Sequence, residues 1–345
     1  YISEGVKAGY HVFSDKPMAI TPEDYGSLLR TIDLARKKDL MILDMMSERY
    51  QVTNALQKEL VDHKTLFGEI ESGSLDNPAI TISNTHHFCK IVSGIANTRP
   101  EWYFDPAQQG VGIADVNTHL VDLVQWMVAG ERKTDVENIE VLAARRWDTP
   151  LTLEQYRQVT KKEDYAPFLQ PYVKEGALCV PSNGEIVFKV NGICARVAIQ
   201  WNFVAPEGSG DVQTATVRCK KGSIIIEQGA EQGYKPSLYI KFNNPRNESD
   251  TEKELNRIIA KLADKYPGIS LGKEGDRFRV LIPDALFVGH EAHITMSMEK
   301  LLDYYRNGGV PQWETEQLKT KYYIISERRQ TLPAIESCNF VGWLP

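Results

Sequence analysis

The sequence has 345 residues, of which 42% are hydrophobic and 25% are charged, a composition typical of a globular protein long enough for two domains. The formal net charge is −6 and acidic and basic residues are interspersed, which argues against nucleic acid or an anionic membrane as a partner. No apolar run approaches the roughly 18 residues of a membrane span, and five scattered cysteines without a C-x-x-C pair indicate neither a disulfide framework nor a zinc knuckle.

The first 48 residues alternate between helix and strand. Residues 1–9 are typical of a helix end closed by glycine, and residues 10–14 form a short aromatic and β-branched strand. Thr21 precedes proline and two acids, which predicts a helix to about residue 38, and residues 40–46 then form a continuous apolar strand. This order is typical of a parallel α/β sheet, but two strands are too few to make one. We expect the opening strands to lie upstream of Tyr1, or the unit to complete another chain's sheet.

The rest of the chain changes from helix to strand at about residue 138. A helix of about 20 residues is predicted from Tyr50, followed by a strand at 79–85. Tight-turn residues such as Asn191-Gly192 join the later apolar runs, which predicts a large, mostly antiparallel sheet with helices on one face. The predicted strands of this second part are 139–143, 186–190, 195–204, 212–219, 223–227 and 237–242.

Three further helices and one excursion complete the prediction. The proline-rich segment 148–182 resembles a long excursion or lid. Ser249-Asp250 caps an amphipathic helix to about residue 266, and helices at about 289–307 and 314–330 close the fold. These last helices are candidates for packing back on the first unit.

An acid, an imidazole and a second acid occur at helical spacing in Asp115, His119 and Asp122. If this segment is helical, residues three and four apart share one face. A carboxylate that orients a histidine prepares it for proton transfer. The alternative interpretation is an exposed helix face with a core histidine beneath it.

Lys16 follows a predicted strand and immediately precedes Pro17. Ligands of open α/β sheets bind beyond the carboxyl ends of the strands, so a lysine at this position is placed to meet a substrate. Proline also restricts the preceding backbone to extended geometry. The alternative is an ordinary solvated turn.

Aromatic and imidazole side chains are weaker candidates for substrate-binding residues. Arg99, Trp102 and Tyr103 suit a sugar-binding wall, and their alternative role is a plug at a domain interface. For the pairs His86-His87 and His290/His293, a role in the substrate pocket or in capping is favoured over metal binding, because a metal needs a third ligand. A zinc hydrolase that uses these pairs stays open as an alternative.

Three segments carry a resemblance to one enzyme family. The stretch GYHVFSDKPMAIT at 9–21 resembles the G-K-H-V-x-x-E-K-P-x-A-x-T segment of the glucose–fructose oxidoreductase / inositol dehydrogenase / MocA family. The stretch GVGIADVNTHLVD at 110–122 is similar to that family's glycine-rich turn followed by D-x-G-x-H-x-x-D. The stretch VRCKKGSIII at 217–226 resembles its G-T-x-G-x-L strand pair. The three occur in the family's order over roughly the whole chain.

The resemblance implies an oxidoreductase that uses NAD or NADP and acts on a CH–OH group of a sugar, cyclitol or similar polyol. It implies that residues 1–48 are the C-terminal part of a Rossmann dinucleotide-binding domain. Residues 49–345 would then form an α+β domain that binds the carbohydrate-like substrate and joins copies into a homo-oligomer through its antiparallel sheet. The mechanism would be hydride transfer to or from nicotinamide C4.

Residue roles follow from the same resemblance. Lys16, Asp115 and His119 match the family's catalytic lysine, aspartate and histidine. Asp15, Lys16 and Pro17 would lie against the cofactor. The expected substrate-binding residues are Arg99, Trp102, Tyr103, Asp115 and His290.

The sequence departs from the family pattern at four places. Asp15 replaces a glutamate, Val111 is the middle residue of the glycine triplet, and Asn117 replaces a glycine but tolerates the same backbone conformation. No G-x-G-x-x-G precedes the strand at Tyr10, so the pyrophosphate site is not within these residues.

The missing dinucleotide motif leads us to expect an N-terminally truncated sequence, which begins without methionine. Its localisation is therefore open, with the cytoplasm favoured by the cysteine pattern. The alternatives are glycosidic-bond cleavage by transient oxidation with the same cofactor, and a non-catalytic binding or oligomerisation module.

Overall fold

The computed structural model describes residues 1–92, 95–110, 112–243 and 248–327. Val111, in the predicted glycine-rich turn, lies outside the described residues, as does the end of the last predicted helix beyond residue 327. Within the described part of the chain, no helix is long and apolar enough to cross a membrane.

Helices and strands alternate at the start of the chain, and strands dominate its middle. The helices of the described residues are α1 (Ile2–Lys7), α2 (Pro22–Lys37), α3 (Val52–Val61), α4 (Lys64–Phe67), α5 (Asn117–Ala129), α6 (Leu153–Thr160), α7 (Glu248–Leu262), α8 (His290–Arg306) and α9 (Gln312–Glu327). The strands are β1 (Val12–Ser14), β2 (Ile42–Asp44), β3 (Ile80–Cys89), β4 (Ile91–Val92), β5 (Ile95–Ala96), β6 (Ile139–Trp147), β7 (Leu151–Thr152), β8 (Val173–Lys174), β9 (Ala177–Leu178), β10 (Asn183–Val190), β11 (Ile193–Val204), β12 (Val212–Cys219), β13 (Gly222–Glu227), β14 (Ser237–Phe242), β15 (Ser270–Glu274) and β16 (Arg277–Leu281).

The first unit is a two-stranded parallel sheet between helices. β1 pairs with β2 in parallel, with Val12 opposite Ile42. The Thr21 hydroxyl accepts from the Asp24 amide and the Asp24 carboxylate accepts from the Thr21 amide, so a complete capping box starts α2. The predicted helix, strand, helix and strand, and the parallel pairing, are confirmed. Leu318 of α9 packs with the buried residues of α1 and α2, and Leu301 of α8 packs with those of β2.

The second unit is a nine-stranded sheet in the order β15-β16-β14-β13-β12-β3-β11-β10-β6. All its pairs are antiparallel except β3 with β11. Apolar residues of α3, α5, α7 and α9 join one core with alternate residues of these strands. The predicted mostly antiparallel sheet with helices on one face is confirmed.

Several local predictions were wrong. The predicted 20-residue helix from Tyr50 is two shorter helices, because the chain bends at His63 and turns Phe67 into the core against Phe242. The helical spacing of apolar residues continues on both sides of this bend, so the sequence pattern did not indicate the break between the two helices. Strand β3 extends four residues beyond the predicted end and includes His86 and His87.

Two other regions differ from prediction because of their tertiary contacts. β15 and β16 were missed, since each is a five-residue strand with two charged residues and no long apolar run. The predicted excursion at 148–182 is a folded unit in which α6 and three short strands pack around Tyr156 and Leu169. Its core includes Phe88 and Trp201 of the large sheet. The α7 helix ends at Leu262, four residues before its predicted end.

A buried network of charged groups joins the two sheets. Asp122 of α5 accepts from Arg49 through both carboxylate oxygens, at 2.6 and 2.7 Å, and from Lys321 of α9 at 2.9 Å. Lys321 also lies 2.9 Å from Asp44, the last residue of β2. Glu314 pairs with Arg49 at 2.9 Å. The side chains of Asp44, Asp122 and Lys321 are each only 1% exposed, so their charges are compensated by one another rather than by water.

We predict that Asp122→Asn lowers the free energy of unfolding by about 3–5 kcal/mol, because it leaves Arg49 and Lys321 short of a buried negative charge. Urea denaturation at neutral pH measures this change. The control is Asp33→Asn, which removes one partner of an exposed pair with Arg36 and should change stability by less than about 0.5 kcal/mol. Equal losses in the two variants would show that the network does not carry this stability.

Candidate functional site

The carboxyl end of β1 and the turn before α5 meet at one ion pair. Lys16 Nζ donates to Asp115 Oδ1 at 2.5 Å, across a sequence separation of 99 residues. The Lys16-Pro17 bond is cis. Gly112 positions the other side, because a Cβ on it would lie 1.9 Å from the Ser182 carbonyl oxygen. Only glycine lets this turn press against the start of β10 and direct Asp115 at the lysine.

The pair keeps both partners ionised in spite of burial. Burial alone would raise the pKa of Asp115, but the charge of Lys16 and its hydrogen bond lower it overall. Burial alone would lower the pKa of Lys16, but Asp115 raises it overall. The Lys16 side chain is 16% exposed and that of Asp115 is 10% exposed, so the ammonium remains within reach of a bound ligand.

His119 lies in the first turn of α5 and is neutral at physiological pH. Burial lowers the pKa of its imidazole to about 3, and the positive charge of Lys16 contributes in the same direction. Its Nδ1 is buried without a hydrogen-bond partner among the described residues. A neutral imidazole is suited to exchange a proton with a hydroxyl group.

The structure separates the two acids that the spacing had placed on one helix face. Asp115 precedes α5, which begins at Asn117, and faces Lys16. Asp122 faces the ionic interior instead, where Arg49 and Lys321 hold its pKa low at about 2 against the effect of burial. The candidate site therefore contains one of these two acids.

Aromatic side chains form one wall of the cleft beside Asp115. The Tyr103 hydroxyl lies 3.5 Å from Asp115 Oδ2, and burial raises the pKa of this phenol well above its usual range. Phe88, Phe104 and Trp201 continue the wall, and the cleft has a cavity volume of about 30 Å³. Apolar walls with a few polar groups are usual for small-molecule sites.

Of the other predicted substrate-binding residues, one supports the aromatic wall and two are exposed. Arg99 is 8% exposed, donates to the carbonyls of His87 and Phe88, and stacks on Tyr103 at 4.5 Å, so it braces the wall from behind. Trp102 is 48% exposed, and His290 is exposed at the first residue of α8. No hydrogen bond or ring contact within the described ranges joins Trp102 or His290 to Lys16 or Asp115.

Asp15 and Pro17, the predicted cofactor contacts on either side of Lys16, lie in the turn after β1. The Asp15 carboxylate accepts from the Lys16 amide at 2.8 Å. This short acid therefore fixes the backbone that carries the lysine.

Sequence reasoning missed one group near the centre. Glu48 follows the end of β2, and burial raises the pKa of its carboxyl while the nearby Lys16 lowers it. The strand-end rule that selected Lys16 would have selected Glu48 too. His86, which was predicted with His87 to have a role in the substrate pocket or in capping, lies on β3, and its Nδ1 is 3.4 Å from Asp211.

The described residues contain no group of three or more histidine, cysteine, aspartate or glutamate side chains that could hold a metal ion. His86 and His87 both face Asp211, but these three described side chains are not arranged to hold a metal ion.

Comparisons with known proteins identify relatives. A family model described as "Putative oxidoreductase C terminal domain" matches residues 56–331. The crystal structure of a protein described as an oxidoreductase from Parabacteroides merdae is 39% identical, with a TM-score of 0.92 over 95% of this chain and 75% of that one. No curated protein matches the sequence.

More distant structures share the fold alone. Levoglucosan dehydrogenase, in complex with NADH and levoglucosan, is 14% identical with a TM-score of 0.55, covering 93% of this chain and 71% of that one. A 3-ketoreductase from Actinomadura kijaniata, in complex with NADP, is 12% identical with a TM-score of 0.51, covering 93% and 70%. The fold is therefore that of Rossmann-type oxidoreductases with a large C-terminal sheet.

We predict that the His119→Gln variant loses less stability on acidification than the wild type. The unfolded chain protonates His119 near pH 6.5, whereas the folded protein does so only near pH 3, so unfolding takes up a proton between these values. The free energy of unfolding should therefore fall as the pH falls, and the wild type should lose up to about 2 kcal/mol more than the variant between pH 7 and 5. Urea titrations at both pH values measure this, and parallel curves would contradict a neutral, buried His119.

Proposed function

The chain belongs to an oxidoreductase family, and from that membership we propose that it is an NAD- or NADP-dependent enzyme of the glucose–fructose oxidoreductase / inositol dehydrogenase / MocA type. Its substrate would be a sugar, cyclitol or similar polyol, oxidised or reduced at a CH–OH group. The observation that carries the proposal is the convergence of Lys16, Asp115 and His119 at the end of β1, across 99 residues of sequence. Residues 1–48 would belong to the dinucleotide-binding domain and residues 49–345 to the substrate domain.

Each side chain would have a distinct task in alcohol oxidation. His119 exchanges the hydroxyl proton, because its imidazole is neutral at physiological pH. Lys16 donates a hydrogen bond to the same oxygen and stabilises the negative charge that develops there. Asp115 keeps Lys16 protonated and directed at the cleft. In the reducing direction, the same proton returns from His119 to the oxygen.

The residues at the end of β1 fit the reacting end of a nicotinamide cofactor. Asp15, Glu48 and Asp115 surround Lys16, and their charges all act on its pKa. Several acids around one lysine suit a ring that is positively charged in its oxidised form. Asp15, Lys16 and Pro17 would hold the cofactor, which when bound supplies the hydride acceptor or donor. The proposal includes both NAD and NADP, because the residue that distinguishes them follows the glycine-rich motif.

The substrate would lie between this centre and the aromatic wall. Tyr103 and Asp115 would contact substrate hydroxyls directly, and Arg99 would keep the Tyr103 ring in place. Trp102 and His290 are proposed as outer contacts because both are exposed. The described cysteines are free thiols, which suits a reducing compartment such as the cytoplasm.

The uncovered face of the large sheet is proposed to join two or more copies of the chain. On this face Ile225 of β13 lies between Thr216 and Tyr239 of the neighbouring strands. We predict that multi-angle light scattering gives a mass of at least two chains and that Ile225→Lys shifts it toward one. A monomeric wild type would exclude this assembly.

We predict that Lys16→Met and His119→Gln each lower turnover at least ~100-fold, the scale usual for acid–base groups, while the folded state persists. The assay follows NAD(P)H absorbance with myo-inositol, D-glucose and levoglucosan as probes. Lys133→Met is the control, because its ion pair with Asp135 is on the surface. Wild-type rates in both site variants would refute the assigned roles. Cleavage of a glycoside without net NAD(P)H change would indicate the alternative redox elimination instead.

A further inference from the structure

The buried network between the two sheets contains more acids than bases. Its cations are Arg49 and Lys321, and its acids are Asp44, Asp122 and Glu314. The side chain of Arg49 is 12% exposed, that of Glu314 is 7% exposed, and the other three are each 1% exposed. With all three acids ionised, three negative charges would face two positive charges, and one buried negative charge would lack compensation.

Glu314 has the smallest share of the two cations. Asp122 takes two hydrogen bonds from Arg49, at 2.6 and 2.7 Å, and one from Lys321 at 2.9 Å. Asp44 takes the other contact of Lys321, also at 2.9 Å. The cation bonded to Glu314 is Nη1 of Arg49, at 2.9 Å, which belongs to the guanidinium that Asp122 already holds. The uncompensated charge would therefore fall on Glu314.

The groups that face this carboxyl from the neighbouring elements bring no further positive charge within the described ranges. Tyr304 Oη of α8 lies 3.1 Å from Glu314 Oε2, and burial holds the pKa of this phenol well above its usual range. Tyr50, in the turn after β2, is also neutral, because burial raises its pKa to about 12. Further out, Glu131 acts on Tyr304 and Asp303 acts on Tyr50, and both are acids.

A proton on Glu314 would balance the cluster at two positive and two negative charges. Glu314 lies in the first turn of α9, whose positive end favours the ionised form but amounts to only about half a charge. The ionised cluster would therefore still carry a net negative charge. Burial raises the pKa of Glu314, and together with the negative charge of Asp122 it outweighs the lowering by Arg49.

Tyr304 can bond to either form of Glu314. A phenol hydroxyl both donates and accepts, so Tyr304 Oη donates to Oε2 of the ionised carboxylate and accepts from a protonated Oε2. In the protonated form Oε1 still accepts from Arg49 Nη1 at 2.9 Å. The neutral acid therefore keeps its hydrogen bonds, and its ionisation releases one proton to solvent.

We propose that the joint between the two-stranded sheet and α5 is a pH-sensitive contact whose titrating group is Glu314. At neutral pH this side chain is a neutral, hydrogen-bonded acid, and at higher pH it becomes the third negative charge of the cluster and weakens the joint. An unfolded chain releases the proton near pH 4.5, so the stability that Glu314 contributes is complete below this pH and is lost as the pH rises through the raised folded value. The inference does not depend on the proposed oxidoreductase activity.

The first test compares the wild type with Glu314→Gln, which can make the same hydrogen bonds but cannot ionise. Between about pH 5.5 and 8.5 we expect the unfolding equilibrium constant of the wild type to rise at least about 10-fold relative to the variant, because a proton held by the folded state alone changes this constant by up to about tenfold per pH unit. Urea titrations measure it, and the titration of His119 cancels because both proteins contain it. Glu254→Gln, at an exposed glutamate of α7 paired with Arg257, should stay parallel to the wild type. Parallel curves for the wild type and Glu314→Gln would overturn the inference.

The second test detects the proton directly and also serves if Glu314→Gln does not fold. Infrared spectra separate protonated carboxyl groups from carboxylates, and a ¹³C label in the glutamate carboxyl group shifts the glutamate bands alone. Burial also raises the pKa of Glu48, so Glu48→Gln is the matched comparison. At pH 7 we expect a protonated glutamate band that persists in folded Glu48→Gln and is lost in Glu314→Gln. Its absence from folded Glu48→Gln would show that Glu314 is ionised and would overturn the inference.

Discussion

The structure depends on the buried ionic network around Asp122. This carboxylate takes two hydrogen bonds from Arg49 and one from Lys321, so it ties the residues after β2 and the helix α9 to the helix α5. Lys321 also reaches Asp44 at the end of β2. Since Lys16 belongs to the small sheet and Asp115 and His119 belong to the start of α5, this network fixes the distance between the two halves of the candidate site. Removing one member of such a network leaves an uncompensated buried charge, so each of these residues depends on the others.

Burial has opposite consequences for the two kinds of titratable group in this region. Lys16 and Asp115 remain charged because each compensates the other at 2.5 Å. His119 and His86 have no comparable compensation among the described residues, and burial keeps both neutral, with pKa values of about 3 and about 4. The centre thus combines a fixed ammonium with neutral imidazoles, groups that suit the alcohol oxidation proposed for this site.

Local chemistry was predictable where residues act on their immediate neighbours. The capping box at Thr21 and the two strands of the small sheet follow from sequence patterns, and so does the alternation of most strands in the large sheet. The bend at His63 was not predictable, because the same apolar period continues on both sides of it. His86 was taken for a residue beyond a strand, and only the pairing of β3 with β11 and β12 places it between Trp201 and Asp211.

The sequence alone determined which residues were candidates, and the tertiary structure decided what each one faces. Lys16, Asp115 and His119 could be selected from a strand end, a helical spacing and a family resemblance. By spacing alone, Asp115 and Asp122 were equally good candidates for the acid that acts with His119. In the structure the two acids have different partners. Asp115 pairs with Lys16, 99 residues away in the sequence. Asp122 pairs with Arg49 and Lys321, which are 73 and 199 residues away. Helical periodicity fixes the direction of a side chain relative to its own axis, but partners this distant in sequence are set by packing alone.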